Sequence, residues 1–219
     1  MSMAFYPSLM VADQLNLQRV LEQLDPHCEG YQIDVMDGHF VDNLTWGPCV
    51  ANPVAAATTR RIWLHLMVTD PGDWLERFVL PTGSLVSFHI ESHGDKNEIV
   101  NRVREKGWHP SVAINPKTAA GEISSLLGAI DQVLVMSVEP GFSGQRFLPD
   151  ALDKVDTLVR LRNEQGYRFS IGMDGGIGLT NIAEISQRGI DACAVGSAVF
   201  KQGDPVIALE QLELATRLR

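Results

Sequence analysis

Cysteine is scarce: Cys28, Cys49 and Cys193 are the only three in 219 residues, far apart and without CxxC spacing. That excludes a disulfide framework and a thiolate metal site, and a reducing, cytoplasmic setting is expected. Positive charge is in deficit, with 18 Lys and Arg against 27 Asp and Glu for a net charge of −9, and the basic residues are dispersed. A nucleic-acid partner, which needs clustered cations against its phosphates, is therefore not expected. No apolar run approaches the about 20 residues that span a bilayer, and the opening MSMAFYPSL has no charged segment ahead of a long apolar stretch, so neither export nor a membrane partner is expected. Low-complexity tracts are missing and aromatics make up only 7%. What is present is a 45% hydrophobic chain of ordinary globular composition, of a length that suits one domain over 1–219.

Short apolar runs alternate with longer amphipathic segments along the whole chain, the mark of repeated βα units. Strands are predicted at 5–10, 31–36, 62–68, 85–91, 111–116, 133–139, 169–175 and 191–196. Apolar residues at helical spacing predict helices at 12–24, 71–80, 97–107, 119–130, 149–166, 181–189 and 204–218. In GPCVANPVAAATT (47–59), Pro53 is expected to interrupt a helix unless it lies near the start. Eight βα units with no visible reversal of order predict an α/β fold, a closed (β/α)8 TIM barrel. A doubly wound sheet is disfavoured, because GGIGLT (175–180) is not a GxGxxG fingerprint and follows the seventh strand rather than the first.

In a barrel the reactive face lies at the carboxyl ends of the strands, and polar residues collect there: Ser8, Asp34 and Asp37, His65, His89 and Glu91, Asn115, Ser137 and Glu139, and Asp174. Singly, each has a bland explanation. A lone histidine is usually a satisfied rim residue, and Asp37 before Gly38 suits a turn cap. Asp34, His65 and Asp174 come from three different strands, however, and barrel closure aims them at one pocket. Three glycine-rich loops, EPGFSGQ (139–145), DGGIG (174–178) and VGSAVF (195–200), follow strands 6, 7 and 8. Loops after the last strands are the usual phosphate site of a barrel, and backbone N–H groups without an intervening Cβ approach phosphate oxygens closely. The bland alternative is that these glycines only satisfy tight turns.

PSLMVAD (7–13), DVMDGHFVDN (34–43), HLMVTDP (65–71), FHIES (88–92), AINPKT (113–118), VMSVEPGFSGQRF (135–147), MDGGI (173–177) and VGSAVF (195–200) stand in an order and spacing that resemble the ribulose-phosphate 3-epimerase family over nearly the whole chain. The resemblance implies the same barrel and an isomerase that inverts carbon 3 of a ketose phosphate, D-ribulose 5-phosphate/D-xylulose 5-phosphate or a relative, through an enediolate. By that resemblance Asp34 and Asp174 are the catalytic pair, and Asp34, His65 and Asp174 hold a divalent cation. Ser8 and His65 then meet the substrate, and Gly141, Phe142, Ser143, Gly144, Gly175, Gly176, Gly196 and Ser197 line its phosphate end. The resemblance also implies a homo-oligomer.

Gln32 stands where the family usually has a metal-binding histidine. An amide oxygen binds hard cations but is a poor substitute for imidazole on zinc, so Mg, Mn or Fe is as well suited as Zn. EPGFSGQ and PSLM lean toward the relatives acting on D-allulose 6-phosphate, while DGGI leans back. A sugar-phosphate binding protein that lost catalysis with its histidine is the alternative from another class. A Schiff-base aldolase is disfavoured, because no lysine falls at a predicted strand end.

Overall fold

The computed structural model describes residues 3–217. Eight parallel strands lie in the order β1-β8-β7-β6-β5-β4-β3-β2: β1 (Ala4–Pro7), β2 (Gly30–Met36), β3 (Arg61–Met67), β4 (Leu85–His89), β5 (His109–Ile114), β6 (Gln132–Met136), β7 (Ser170–Asp174) and β8 (Ala192–Val195). A parallel bridge between Ser8 and Gln32 closes the ring between β1 and β2. The predicted (β/α)8 barrel is therefore the fold. Each predicted strand has its counterpart, but several end earlier than expected, because the Ser, Glu and Gly residues at their carboxyl ends belong to the loops.

Alternation within the strands divides their residues between two surroundings. Ile33 and Val35, Leu64 and Leu66, Val133 and Val135, and Ile171 and Met173 face outward into the apolar shell under the helices. Their neighbours face the barrel axis, where the contents are mixed. Tyr6, Trp63, Leu134, Met136 and Ala194 cluster there beside a chain of polar groups: Trp63 Nε1 donates to Ser87 Oγ (2.7 Å), Ser87 Oγ to Ser111 Oγ (2.8 Å), and Ser111 Oγ to Gln132 Oε1 (3.0 Å). The Trp63, Ser87 and Ser111 donors of that row each have an acceptor, as the dry interior requires. Trp63 crosses the barrel edge-on to Tyr6, with ring centroids 5.2 Å apart, and needs the space left by Gly172.

The helices are α1 (Leu17–Leu24), α2 (Pro48–Ala57), α3 (Lys96–Glu105), α4 (Ala151–Gln165), α5 (Ile182–Ser186), α6 (Ser197–Phe200) and α7 (Pro205–Ala215). Contrary to expectation, α2 runs through Pro53. Pro53 lies on the solvent face, so the Cys49 carbonyl that its missing N–H orphans can bond water, while Ala51, Val54 and Ala55 pack inward. Two predicted helices are not α-helical. Residues 71–80 become the 3-10 turn Pro71–Arg77, and 119–130 become the 3-10 turn Ala120–Ile123 followed by further turns. Pro71 and Gly72 weaken the first, and Gly121, Ser124, Ser125 and Gly128 the second, all poor residues for a helix interior.

A Cβ on Gly172 would meet Trp63 Cη2 at 2.7 Å and Gln132 at 3.1 Å, whereas one on Gly121 meets nothing within 4 Å. Gly172→Ala is therefore expected to cost about 1–3 kcal/mol by overpacking, and Gly121→Ala to stay within about 0.5 kcal/mol of neutral. Urea unfolding followed by tryptophan fluorescence measures both.

Candidate active site

The strand register sets the floor of the site. Asp34 pairs with His65 across β2 and β3, Gln32 lies beside Ser8, and Asp174 ends β7 next to Ala194. All of these face the axis, so barrel closure brings together side chains up to 166 residues apart in sequence, from Ser8 to Asp174. Ser8 Oγ donates to Asp34 Oδ2 (2.7 Å) and Gln32 Nε2 to Asp174 Oδ2 (2.7 Å). His65 Nδ1 stands 3.0 Å from Asp34 Oδ1 and 3.5 Å from Asp174 Oδ2. On its far side, His65 Nε2 is 2.9 Å from His89 Nε2.

Two carboxylates this close are costly to bury unless positive charge or donors meet them. Burial pushes the Asp34 carboxyl above its usual range, an effect reinforced by Asp174 and opposed by His65 and Ser8. Burial alone would lower the His65 imidazole, but Asp174 and Asp34 overcome this and raise it to about 9. His65 therefore carries a proton at neutral pH and offsets one of the two acids. His89 is driven the other way, to about 4, first by burial and then by the His65 charge, against the pull of Glu91. One ligand atom each from Asp34, His65 and Asp174 lies within 4.8 Å of the others, spacing suited to a shared cation.

Above this floor is a cavity of about 500 Å³. Ser8, Asp34 and Asp174 line it, as do Gly141, Phe142, Ser143, Gly144, Gly175, Gly176, Gly196 and Ser197. Gln32 and His65 are wholly buried and do not line it; they act from beneath, through the aspartates. The loop after β6 is tied across the mouth to the loop after β2, where Asn43 Nδ2 donates to Gly141 O (2.6 Å). Gly175 and Gly176 have φ of 116° and 64°. A Cβ on Gly176 would lie 2.5 Å from Phe147 N, so tight turns alone account for glycine at both positions. Ser197 Oγ, at the same end, is buried without a partner among the described residues.

Asp37 is the cap that its sequence context suggested. Its carboxylate accepts from the N–H groups of His39 (2.9 Å), Phe40 (2.8 Å) and Thr69 (2.7 Å). His39 folds onto its own loop, with Nδ1 2.8 Å from Asp37 O, and stays out of the site. Sequence reasoning missed Met36, Met67 and Met136, which line the cavity wall. A signal for the first two existed, since Met36 and Met67 stand two residues beyond Asp34 and His65 and so share their face of the strand.

Comparison with known proteins follows the same lines. Residues 4–200 match the model of the ribulose-phosphate 3-epimerase family. The chain is similar to ribulose-phosphate 3-epimerase of Treponema pallidum, at 38% identity over 200 residues covering 91% of this chain and 92% of the relative. It is also similar to the enzyme of that name from Escherichia coli K12, at 34% identity covering 90% and 89%. Among solved structures, a 3-hexulose-6-phosphate synthase aligns with a TM-score of 0.65 at 15% identity, covering 98% of this chain and 99% of that one. At that identity the likeness concerns the fold alone.

Glu91 offers a test of the electrostatics around this floor. Burial alone would raise its carboxyl, but His89, the Thr118 hydroxyl and the Asn115 N–H outweigh that and hold it at about 2. A folded value below the unfolded one gives stability that is complete above the unfolded range and lost as pH falls through the folded value. Glu91→Gln is therefore expected to flatten the acid loss of stability between about pH 4.5 and about pH 2. Urea unfolding of metal-free protein across that window measures it, and an unchanged slope would contradict the assignment.

Proposed function

The chain belongs to the ribulose-phosphate 3-epimerase family, which makes it an isomerase acting on a ketose phosphate, and from that premise we propose that Asp34 and Asp174 invert carbon 3. The observation that carries this reading is the meeting of these two carboxylates, from β2 and β7, at the base of one cavity. Asp34, as the carboxylate, takes the C3 proton on one face of the sugar, leaving an enediolate, and Asp174, starting as the carboxylic acid, gives its own proton to the opposite face. In the reverse direction the two exchange roles. A buried carboxylate with a raised pKa is the stronger base, which suits Asp34 to this task. Ser8 and Gln32 hold the two acids in place through their hydrogen bonds.

The residues of the floor fit a divalent cation. Two carboxylates and an imidazole nitrogen converge, and Gln32 Oε1 is buried without a partner among the described residues. A half-turn of the Gln32 amide exchanges its nitrogen and oxygen and turns an oxygen donor toward Asp174 and His65. Asp34, His65 and Asp174 would hold the ion, with Gln32 as the fourth donor. When bound, the cation supplies positive charge that polarises the substrate carbonyl and makes the C3 proton more acidic. Replacing an imidazole by an amide shifts the donor set toward harder ions, so Mn, Mg or Fe competes with Zn.

Support for the phosphate end comes from Ser197, whose buried hydroxyl lacks a partner, and from the backbone of the loops after β6, β7 and β8 that lines the cavity. D-Ribulose 5-phosphate/D-xylulose 5-phosphate is the proposed pair, with D-allulose 6-phosphate as the six-carbon alternative suggested by EPGFSGQ.

Proton NMR in heavy water, with ribulose 5-phosphate and allulose 6-phosphate side by side and the metal varied, tests reaction and substrate together. Asp34→Asn and Asp174→Asn are each expected to slow exchange of the C3 proton by roughly 10²–10⁴-fold without unfolding the protein. Exchange retained in both variants would refute the two-acid scheme. Binding of both sugars without exchange, whatever the metal, would refute catalysis on these substrates. Gln32→His is expected to raise Zn²⁺ affinity by about tenfold or more, read by competition with a chromophoric chelator.

A further inference from the structure

The proton transfers described above do not use His89 or Glu91, although both lie against the floor of the site. His89 is wholly buried at the end of β4, with Nε2 2.9 Å from His65 Nε2 and Nδ1 3.3 Å from Glu91 Oε2. The two imidazole planes differ by only 23°, with centroids 5.1 Å apart. Rings so nearly coplanar whose nitrogens approach to 2.9 Å meet edge to edge, so the N–H of one lies along the lone pair of the other. One hydrogen must sit between these nitrogens: two would collide, and two bare lone pairs would repel.

Glu91 decides which ring supplies it. The carboxylate is pinned by the Asn115 N–H (2.8 Å) and by the Thr118 hydroxyl, so it cannot swing away from His89. It can only accept, and a carboxylate oxygen facing a bare nitrogen is repulsive. The hydrogen of a neutral His89 therefore belongs on Nδ1, even though the contact is bent enough that Nδ1 has no well-formed hydrogen bond to any group. His89 Nε2 is then an acceptor, and His65 must donate from Nε2. The nitrogen facing Asp34 and Asp174 is then His65 Nδ1, whose own hydrogen meets Asp34 at 3.0 Å until a cation takes its place.

We propose that Glu91 and His89 form a positioning relay that fixes the tautomer of His65, so that Nδ1 serves the carboxylate pair and any cation bound between them. The relay rests on the reading of His65 as a cation ligand only in that last respect. The hydrogen-bond order among Glu91, His89 and His65 stands apart from it. The arrangement matches the general need of a metal-bound histidine for a partner on its other nitrogen, here a neutral imidazole backed by a carboxylate.

The test uses the full-length protein labelled with ¹⁵N-histidine. Two-bond nitrogen–hydrogen spectra are recorded at neutral pH, metal-free and again with Zn²⁺. The expected result is hydrogen on Nε2 of His65 and on Nδ1 of His89 in both spectra. A His65 Nε2 without hydrogen, or a His89 with its hydrogen on Nε2, in either spectrum would overturn the relay. His89→Gln, whose amide oxygen accepts at the same place, should preserve the His65 tautomer. His89→Leu, which cannot accept, should lose it and bind Mn²⁺ about 10–100-fold more weakly by calorimetry. A folded His89→Leu protein with wild-type Mn²⁺ affinity and an unchanged His65 spectrum would also overturn it. If His89→Leu does not fold, the wild-type and His89→Gln spectra decide the question. Wild-type protein that binds no divalent ion would refute the cation reading alone, with the metal-free spectrum still deciding the relay.

Discussion

Two aspartates buried a few ångströms apart must be reconciled with each other, and much of the upper barrel serves that end. Asp34 and Asp174 share His65, whose Nδ1 lies 3.0 and 3.5 Å from their oxygens. Ser8 covers the other oxygen of Asp34, and Gln32 meets the same Asp174 oxygen that His65 approaches. In a medium of low dielectric an unmet carboxylate would take up a proton or drive the site open. The surrounding donors keep both acids close to the cavity without neutralising either for good. That balance is what the proposed removal and return of a proton at a single carbon would require.

The barrel supplies these donors through its register. Side chains of one face recur every second residue, so Asp34 and Met36 on β2, and His65 and Met67 on β3, form successive storeys around the axis. Below them Trp63, Ser87, Ser111 and Gln132 make a closed hydrogen-bonded row that plugs the barrel. Three hydrogen bonds in series tie the plug together, and Gly172 leaves room for Trp63. The plug gives the storey of Asp34, His65 and Asp174 its base.

Much of this was legible in the chain. Hydrophobic alternation and eight βα units gave the barrel, and the polar strand ends gave Ser8, Asp34, His65 and Asp174, because strand periodicity and the carboxyl-end rule are local in their logic. The misreadings were also local. The segments 71–80 and 119–130 have helical spacing, yet proline, glycine and serine within them favoured 3-10 turns. Pro53 was weighed as a breaker, yet on a solvent-facing turn its lost hydrogen bond can be replaced by water. The loop glycines read equally well as anion contacts and as turn residues, and Gly175 and Gly176 have a steric need for glycine that does not depend on any ligand.

The sequence by itself determined the architecture and the family, since these follow from periodicity and from motifs that each lie within one loop or strand. Only the tertiary structure decided how those groups are connected. Gln32, marked in the chain as a substituted ligand, bonds Asp174 from β7 with its nitrogen and leaves its oxygen buried and free. His89, unremarkable as a lone histidine, meets His65 nitrogen to nitrogen. Such contacts join strands dozens of residues apart, and their direction depends on which hydrogen each partner has left to give, a property that emerges only when the barrel closes and water is excluded.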